Sequence, residues 1–262
     1  LTPRYWIKKV SFIEAFFYII LLMLSVKKIK KISHLSFSTK KFLQFYNWKN
    51  CYPSKSIKLN KALSQSKVAI VSSAGLVIKD EQEPFNQNIK MGDTSFRVIP
   101  SSITPNRLEE HHRSDTFDHS GIQSNPFTGM PINHLLSLEK KNFVGSVSNK
   151  HISLMGSIIN PSNLINNTIP KIISIFKNEN IDIAIFIPIW PMCHQTVGLI
   201  QKALEENDII CSSISIIDEI TVKLRTKRYL SVPYNPGFPI GDPGNYVEQE
   251  DNIKKLLRKI IN

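Results

Sequence analysis

Ile181-Asp-Ile-Ala-Ile-Phe-Ile-Pro-Ile-Trp-Pro-Met-Cys193 runs directly into His194-Gln-Thr-Val-Gly-Leu-Ile-Gln-Lys-Ala-Leu-Glu-Glu206 and then Ile209-Ile-Cys-Ser-Ser-Ile-Ser-Ile-Ile217. The first run is β-branched and apolar on consecutive positions, the pattern of a strand covered on both faces. Trp190-Pro-Met-Cys193 reads as a turn. Thr196 to Glu206 reads as a helix with Val197, Leu199, Ile200 and Leu204 apolar, and Ile209 to Ile217 as a second buried strand. Strand, helix and strand of this kind make a βαβ unit, and its crossover demands parallel strands.

Working outward, Val68-Ala-Ile-Val71 reads as a buried strand ending in the small-residue loop Ser72-Ser-Ala-Gly75. Such a loop, at the carboxyl end of a first strand, is where open α/β sheets place ligands. Phe143 to Met155 contains another strand region ending near Gly156, and Asn163 to Lys177 an amphipathic helix with Pro170 at a turn or kink. Leu135 to Lys141 reads as helix, Tyr229 to Val232 as strand, Pro233 to Gly244 as a Pro/Gly loop and Val247 to Ile261 as the closing helix. Between Lys79 and Pro131 periodicity is poor, and the stretch reads as one long irregular segment of the kind that carries function or forms a lid. The expected fold is α/β, an αβα sandwich with a mostly parallel sheet, preceded by a basic N-terminal arm. The division is arm over residues 1–60 and α/β domain over residues 61–262.

The chain of 262 residues has a formal net charge of +12. The charge is not spread evenly: through Lys67 there are fourteen Lys+Arg against Glu14 alone, and the remainder is within about one charge of neutral. Nucleic acid is therefore not the expected partner of the body. The Lys-rich bias can also reflect AT-rich coding. Three cysteines, Cys51, Cys193 and Cys211, exclude a disulfide-stapled secreted scaffold and a thiolate zinc cluster. Val10 to Val26 is apolar apart from Ser11, Glu14 and Ser25, and lysines flank it. A short membrane helix, a signal peptide without a small-residue cleavage site, and a monotopic helix compete for it. Membrane contact through residues 10–31 is one expectation, and an inert extension the other. The chain starts at Leu1, as a non-AUG start, a fragment edge or an over-extended gene reading would give. Phe42, Phe45, Tyr46, Trp48 and Tyr52 lie among lysines; they could stack on single-stranded nucleic acid, but packing on the body is the expectation.

Chemistry is sought first at Cys193, in the first turn of a helix, where N–H groups and the helix dipole favour a thiolate. The window from Trp190 to Cys193 has the spacing of a CxxC redox pair, but its first residue is Trp and carries no nucleophile. Taken alone, Cys193 reads as a buried structural cysteine. His111, His112 and His119 with Asp115 and Asp118 match no standard metal-ligand spacing, and no metal is expected. Lys223, Arg225, Lys227 and Arg228 read as a solvated face.

Ile187-Pro-Ile-Trp-Pro-Met-Cys-His-Gln-Thr-Val-Gly-Leu-Ile200 resembles the UxxC motif of the selenoprotein B family, components of glycine, sarcosine, betaine and D-proline reductases. That family's pattern is roughly Pro-Val-Sec/Cys-Pro-Val-Cys-Asn/His-Gln-Thr-Val-Gly-Leu. Val68 to Gly75, Ser114-Asp-Thr-Phe-Asp-His119, Ser146 to Gly156 and Pro236-Gly-Phe-Pro-Ile-Gly241 are similar to other family segments. The resemblance covers about residues 55 to 262. It implies an oxidoreductase component for reductive C–N cleavage of a small amino acid or amine. A partner subunit then holds the substrate on a pyruvoyl group, and an external dithiol restores the site. Residue by residue, it makes Trp190 the position of the family's selenocysteine or cysteine nucleophile and Cys193 the resolving thiol. His194, Gln195, Asp118, His119, Gly75 and Gly241 become the substrate-side residues. No cofactor is expected to be bound by the chain itself, and the location implied is cytoplasmic. The departures are Trp190, which UGA read as Trp would produce, and Asp115, where relatives often have His. Two rival readings remain: a redox-inactive ligand-binding protein on the same fold with Trp190 as an apolar wall, and an interaction module docking through the basic arm.

Overall fold

The computed structural model describes Ile32 and residues 35–261. The apolar run over residues 10–26, most of the basic arm, and the membrane contact expected through residues 10–31 lie outside the described residues. No described helix is long and apolar enough to cross a membrane.

A seven-stranded sheet carries the body. Its central strands are β1 (Lys67–Ser72), β7 (Ile183–Ile187) and β8 (Ile210–Ser215), and all of their residues but Lys67 are buried. The other members are β3 (Phe96–Ile99), β5 (Ser146–Val147), β6 (His151–Leu154) and β9 (Tyr229–Ser231). The order across the sheet is β3-β6-β1-β7-β8-β9, with β5 alongside the start of β1. Every pairing is parallel except β3 against β6. Counting only the parallel strands in chain order, this is the 2-1-3-4-5 order of a doubly wound sheet, whose direction of winding reverses between β1 and β7. The crevice at that reversal, outside the carboxyl ends of the two strands, is where such sheets hold ligands.

Helices cover both faces. α3 (Ile132–Lys140) packs with α7 (Tyr246–Arg258). α4 (Ile169–Asn178) packs with α5 (Cys193–Glu205), which also contacts α6 (Asp218–Leu224). The short α2 (Ser120–Ser124) and the lead-in helix α1 (Phe37–Phe45) complete the set. The expected sandwich and its mostly parallel sheet are thus present. The helix read over 163–177 begins as a π turn, Leu164–Thr168, in which the Ile169 N–H reaches the Leu164 carbonyl. The cause is Pro170: it supplies no N–H, and its ring would crowd the carbonyl four residues back, so the preceding turn widens.

The irregular segment expected between Lys79 and Pro131 is partly a misreading. β3 lies in it as the antiparallel edge strand, and β2 (Leu76–Ile78) pairs with β4 (Leu108–Glu110) in a small separate sheet. Strands of three and four residues are too short for alternation to declare itself.

Residues 35–66 lie against the body. Of the five aromatics expected to pack on the body, Tyr46 and Trp48 do, while Phe42, Phe45 and Tyr52 are exposed. The Cys51 N–H bonds the Leu224 carbonyl at 2.8 Å, and the Ser54 N–H bonds Glu206 at 2.9 Å.

Candidate functional site

β1 and β7 end side by side. The Ser73 N–H donates to the Ile187 carbonyl at 3.2 Å, and the Ile189 N–H returns a bond of 3.2 Å to the Ser73 hydroxyl. The turn read at Trp190–Cys193 forms there, closed by the Cys193 N–H on the Trp190 carbonyl at 3.0 Å, and α5 starts at Cys193 itself. The window that carries the CxxC-like spacing therefore sits on the switch-point crevice.

Cys193 is fully buried. Gly156 lies against it so closely that a Cβ on Gly156 would stand 2.5 Å from the sulfur. Gly156 and Ser157 both adopt left-handed backbone, at φ +66 and +48. For Gly this costs nothing; for Ser it is strain of the kind found at functional sites. The Ser157 backbone and the Ser73 hydroxyl both act to pull the thiol pKa down. Burial acts in the opposite direction and wins, so the thiol stands above its ordinary range. The sequence expectation of a readily ionised thiol at a helix N-terminus is corrected here: desolvation outweighs the dipole.

His112 Nε2 lies 3.5 Å from the Cys193 sulfur. Its other nitrogen, Nδ1, accepts the Ser114 N–H at 3.1 Å. Burial, reinforced by His119 and Arg113, lowers its pKa to about 3, so the ring is neutral. Gly75 positions it. The Gly75 N–H bonds the Leu154 carbonyl, its carbonyl takes the His111 N–H, and a Cβ would meet the His112 backbone nitrogen at 2.8 Å.

Around His112 is a cluster of rings. Phe117 meets His112 edge-on at 4.9 Å, stacks on His119 at 4.0 Å and stacks on Trp190 at 5.7 Å. Trp190 is only 5% exposed, so its indole is a packed wall of the site. His119 does not pair with Asp118. Its Nδ1 meets Glu110 Oε1 at 2.8 Å and its Nε2 meets the Ser114 carbonyl at 2.7 Å. A carbonyl only accepts, so Nε2 carries a proton, and a further proton is held between Nδ1 and the carboxyl. Burial pushes the Glu110 carboxyl up, with His119 opposing. Asp118 is exposed and accepts the Ser120 N–H at 2.9 Å.

Two expected substrate-side residues are committed elsewhere. His194 spans from the Trp190 and Pro191 carbonyls, each 3.1 Å from Nδ1, to the Ile216 N–H, 3.2 Å from Nε2. Burial lowers its pKa to about 4, and the neutral ring clamps the turn to the end of β8. Gln195 is fully buried; its oxygen accepts the Lys49 N–H at 2.9 Å, and its nitrogen donates to Tyr46 Oη at 2.8 Å. Tyr46 in turn donates to the Ile159 carbonyl at 2.6 Å. This network fastens the lead-in segment to α5 and to the loop after Gly156.

Gly241 faces Tyr234 and Glu248. The loop glycine that touches the site is Gly237, whose N–H bonds the Ile189 carbonyl at 2.9 Å and whose Cα abuts the Asp118 carbonyl oxygen. Glu110, His112, Gly156 and Gly237 were thus missed as site residues; the Met155-Gly156 and Pro236-Gly237 steps were the available signals. A cavity of about 310 Å³ at the carboxyl ends of β8 and β9 is lined by Ile216, Asp218, Ser231, Val232 and Pro233. Among the described residues no group of His, Cys, Asp and Glu has the geometry to hold a metal ion.

No family model matches the chain. Over 203 residues it is 26% identical to the D-proline reductase subunit gamma of Acetoanaerobium sticklandii, a span of 76% of this chain and 81% of that protein. No solved structure matches.

Proposed function

We propose, from the similarity to a D-proline reductase subunit, that the chain is the redox component of a multi-subunit reductase that cleaves a C–N bond in a small amino acid or amine. The observation that carries the reading is the 190–193 turn on the crevice between β1 and β7, with the Cys193 sulfur facing the Ser73 hydroxyl and the Ser157 backbone. In this reading Cys193 is the resolving thiol and position 190 the nucleophile. Indole has no nucleophilic chalcogen, so Trp190 as written does not fit that role. The reading requires selenocysteine at position 190, encoded by a UGA that has been read as Trp. A pyruvoyl group on a partner subunit would supply an electrophilic carbonyl for the substrate's amine, and a dithiol would restore the site. The part of this chain's own residues is to exclude water through the Trp190–Phe117–His119 ring stack and to hold a proton between His119 and Glu110.

The codon at position 190 and the intact mass of the natively expressed protein test this. The expected result is UGA with one selenium per chain. UGG with a tryptophan mass would remove the nucleophile and with it the reductase reading. A second reading has one observation in its favour: Trp190 is buried and well stacked on Phe117, as a true tryptophan should be. The chain would then be a redox-inactive ligand-binding protein on the same fold, and UGG is what it predicts.

A further inference from the structure

Three elements converge on the Cys193 sulfur. The loop after β1 brings the Ser73 hydroxyl, and the Gly156–Ser157 pair of left-handed residues brings the Ser157 backbone. The segment after β4 brings His112 Nε2 at 3.5 Å. The proton position on His112 is fixed from behind. Ser114 donates its N–H to Nδ1, so Nδ1 must offer a lone pair, and the proton of the neutral imidazole sits on Nε2, toward the sulfur. Ser114 also holds the neighbouring ring, since its carbonyl accepts from His119 Nε2. Glu110 secures His119 in turn. A single backbone residue therefore sets the orientation of both histidines.

We infer that His112 is a fixed N–H donor to the Cys193 sulfur, stabilising its thiolate and so offsetting part of what burial costs that form. The histidine is not a base for Cys193, because its lone pair is engaged by Ser114. The inference deepens the proposed resolving role of Cys193, which needs a sulfur able to carry negative charge while buried, and it rests on that reading for its purpose but not for its geometry. The titratable groups facing the sulfur are few. His112 faces it directly, His119, Glu110 and Arg113 stand behind His112, and His194 follows it on α5 with both nitrogens engaged.

The test uses the full chain labelled with ¹³Cβ-cysteine. Cys193 is assigned by the loss of its signal in Cys193→Ser, and its ionisation is followed by pH. His112→Leu removes the donor and is expected to raise the Cys193 midpoint by about one to two pH units, the weight of one hydrogen bond to a charged group. His112→Gln, which returns an N–H near the Nε2 position, is expected to stay within about half a unit of the natural protein. No rise in His112→Leu would overturn the inference. If that variant fails to fold, ¹⁵N imidazole shifts of the unaltered protein decide: a proton on Nε2 of His112 is expected, and a proton on Nδ1 overturns it. Because Trp190 is left in place throughout, a tryptophan codon at 190 would end the redox reading without touching this result.

Discussion

Acidification from pH 7.5 to 4.5 is expected to unfold the protein or bring it close to unfolding. His112 and His151 have their pKa lowered to about 3 by burial, and His194 to about 4. Each is an acceptor for a backbone N–H: Ser114 to His112, Ile70 to His151 at 3.0 Å, and Ile216 to His194. Protonation would set two donors against one another in a dry interior. In the unfolded chain the same residues titrate near 6.5. Between that value and the lowered folded values the unfolded state binds more protons, so stability is full above about pH 6.5 and falls as the pH drops.

At pH 4.5 the loss is about 2.7 kcal/mol per histidine, and about 8 kcal/mol for the three, against a typical domain stability of about 5–15 kcal/mol. Glu110 and Glu205, both pushed up by burial, gain stability over the same interval and offset part of this. Urea unfolding followed by circular dichroism at a series of pH values gives the slope. A midpoint that does not move between pH 7.5 and 4.5 would sink the prediction. His151→Asn keeps an acceptor near the Nδ1 position for the Ile70 N–H but cannot titrate, and should flatten the pH dependence by about a third of the histidine contribution.

Gly237→Ala is expected to cost about 3–5 kcal/mol and to open the site. Gly237 has φ +92, where an L-residue is strained, and its new Cβ would overlap the Asp118 carbonyl oxygen. That oxygen is backbone and cannot rotate aside as a side-chain tip would. The segment carrying Phe117 and His119 must therefore move, and the ring stack over Trp190 moves with it. Two measurements check this: the urea midpoint, and the rate at which Cys193 is alkylated in the folded protein, expected to rise at least about tenfold as burial is relaxed. Gly244→Ala is the control, because its Cβ would meet only the Asp242 carboxylate at 3.2 Å and its φ is not in the left-handed region. Equal effects in the two variants would refute the steric account. Gly156→Ala should resemble Gly237→Ala, with the strain transferred directly to the Cys193 sulfur.

What could be read from the residues was the part fixed by local composition. The runs 68–71 and 183–187 are apolar without alternation because both faces of a parallel sheet are covered, and that property is written residue by residue, whereas 210–215 is equally buried but carries Ser212, Ser213 and Ser215. The turn before α5 was legible for a similar reason, since Trp-Pro-Met-Cys cannot continue the strand. The same reading placed Cys193 at a helix start and buried, but not the contact that seals it, which depends on Gly156 arriving from a segment 37 positions earlier.

The functional surroundings were decided by tertiary structure. No spacing pairs His119 with Glu110 rather than Asp118; the choice follows from β4 pairing with β2, which aligns Glu110 opposite Leu76. Nor does sequence reveal that His194 and Gln195, adjacent to Cys193, use their polar atoms to fasten β8 and the lead-in segment. A buried polar side chain must find partners wherever the packed chain provides them, and those partners lie far away in sequence. The sequence by itself determined an α/β sheet and the position of the 190–193 turn on it. Only the folded chain decided that this turn meets the loop after β1 at the switch point, and that His112 supplies the hydrogen bond to its cysteine.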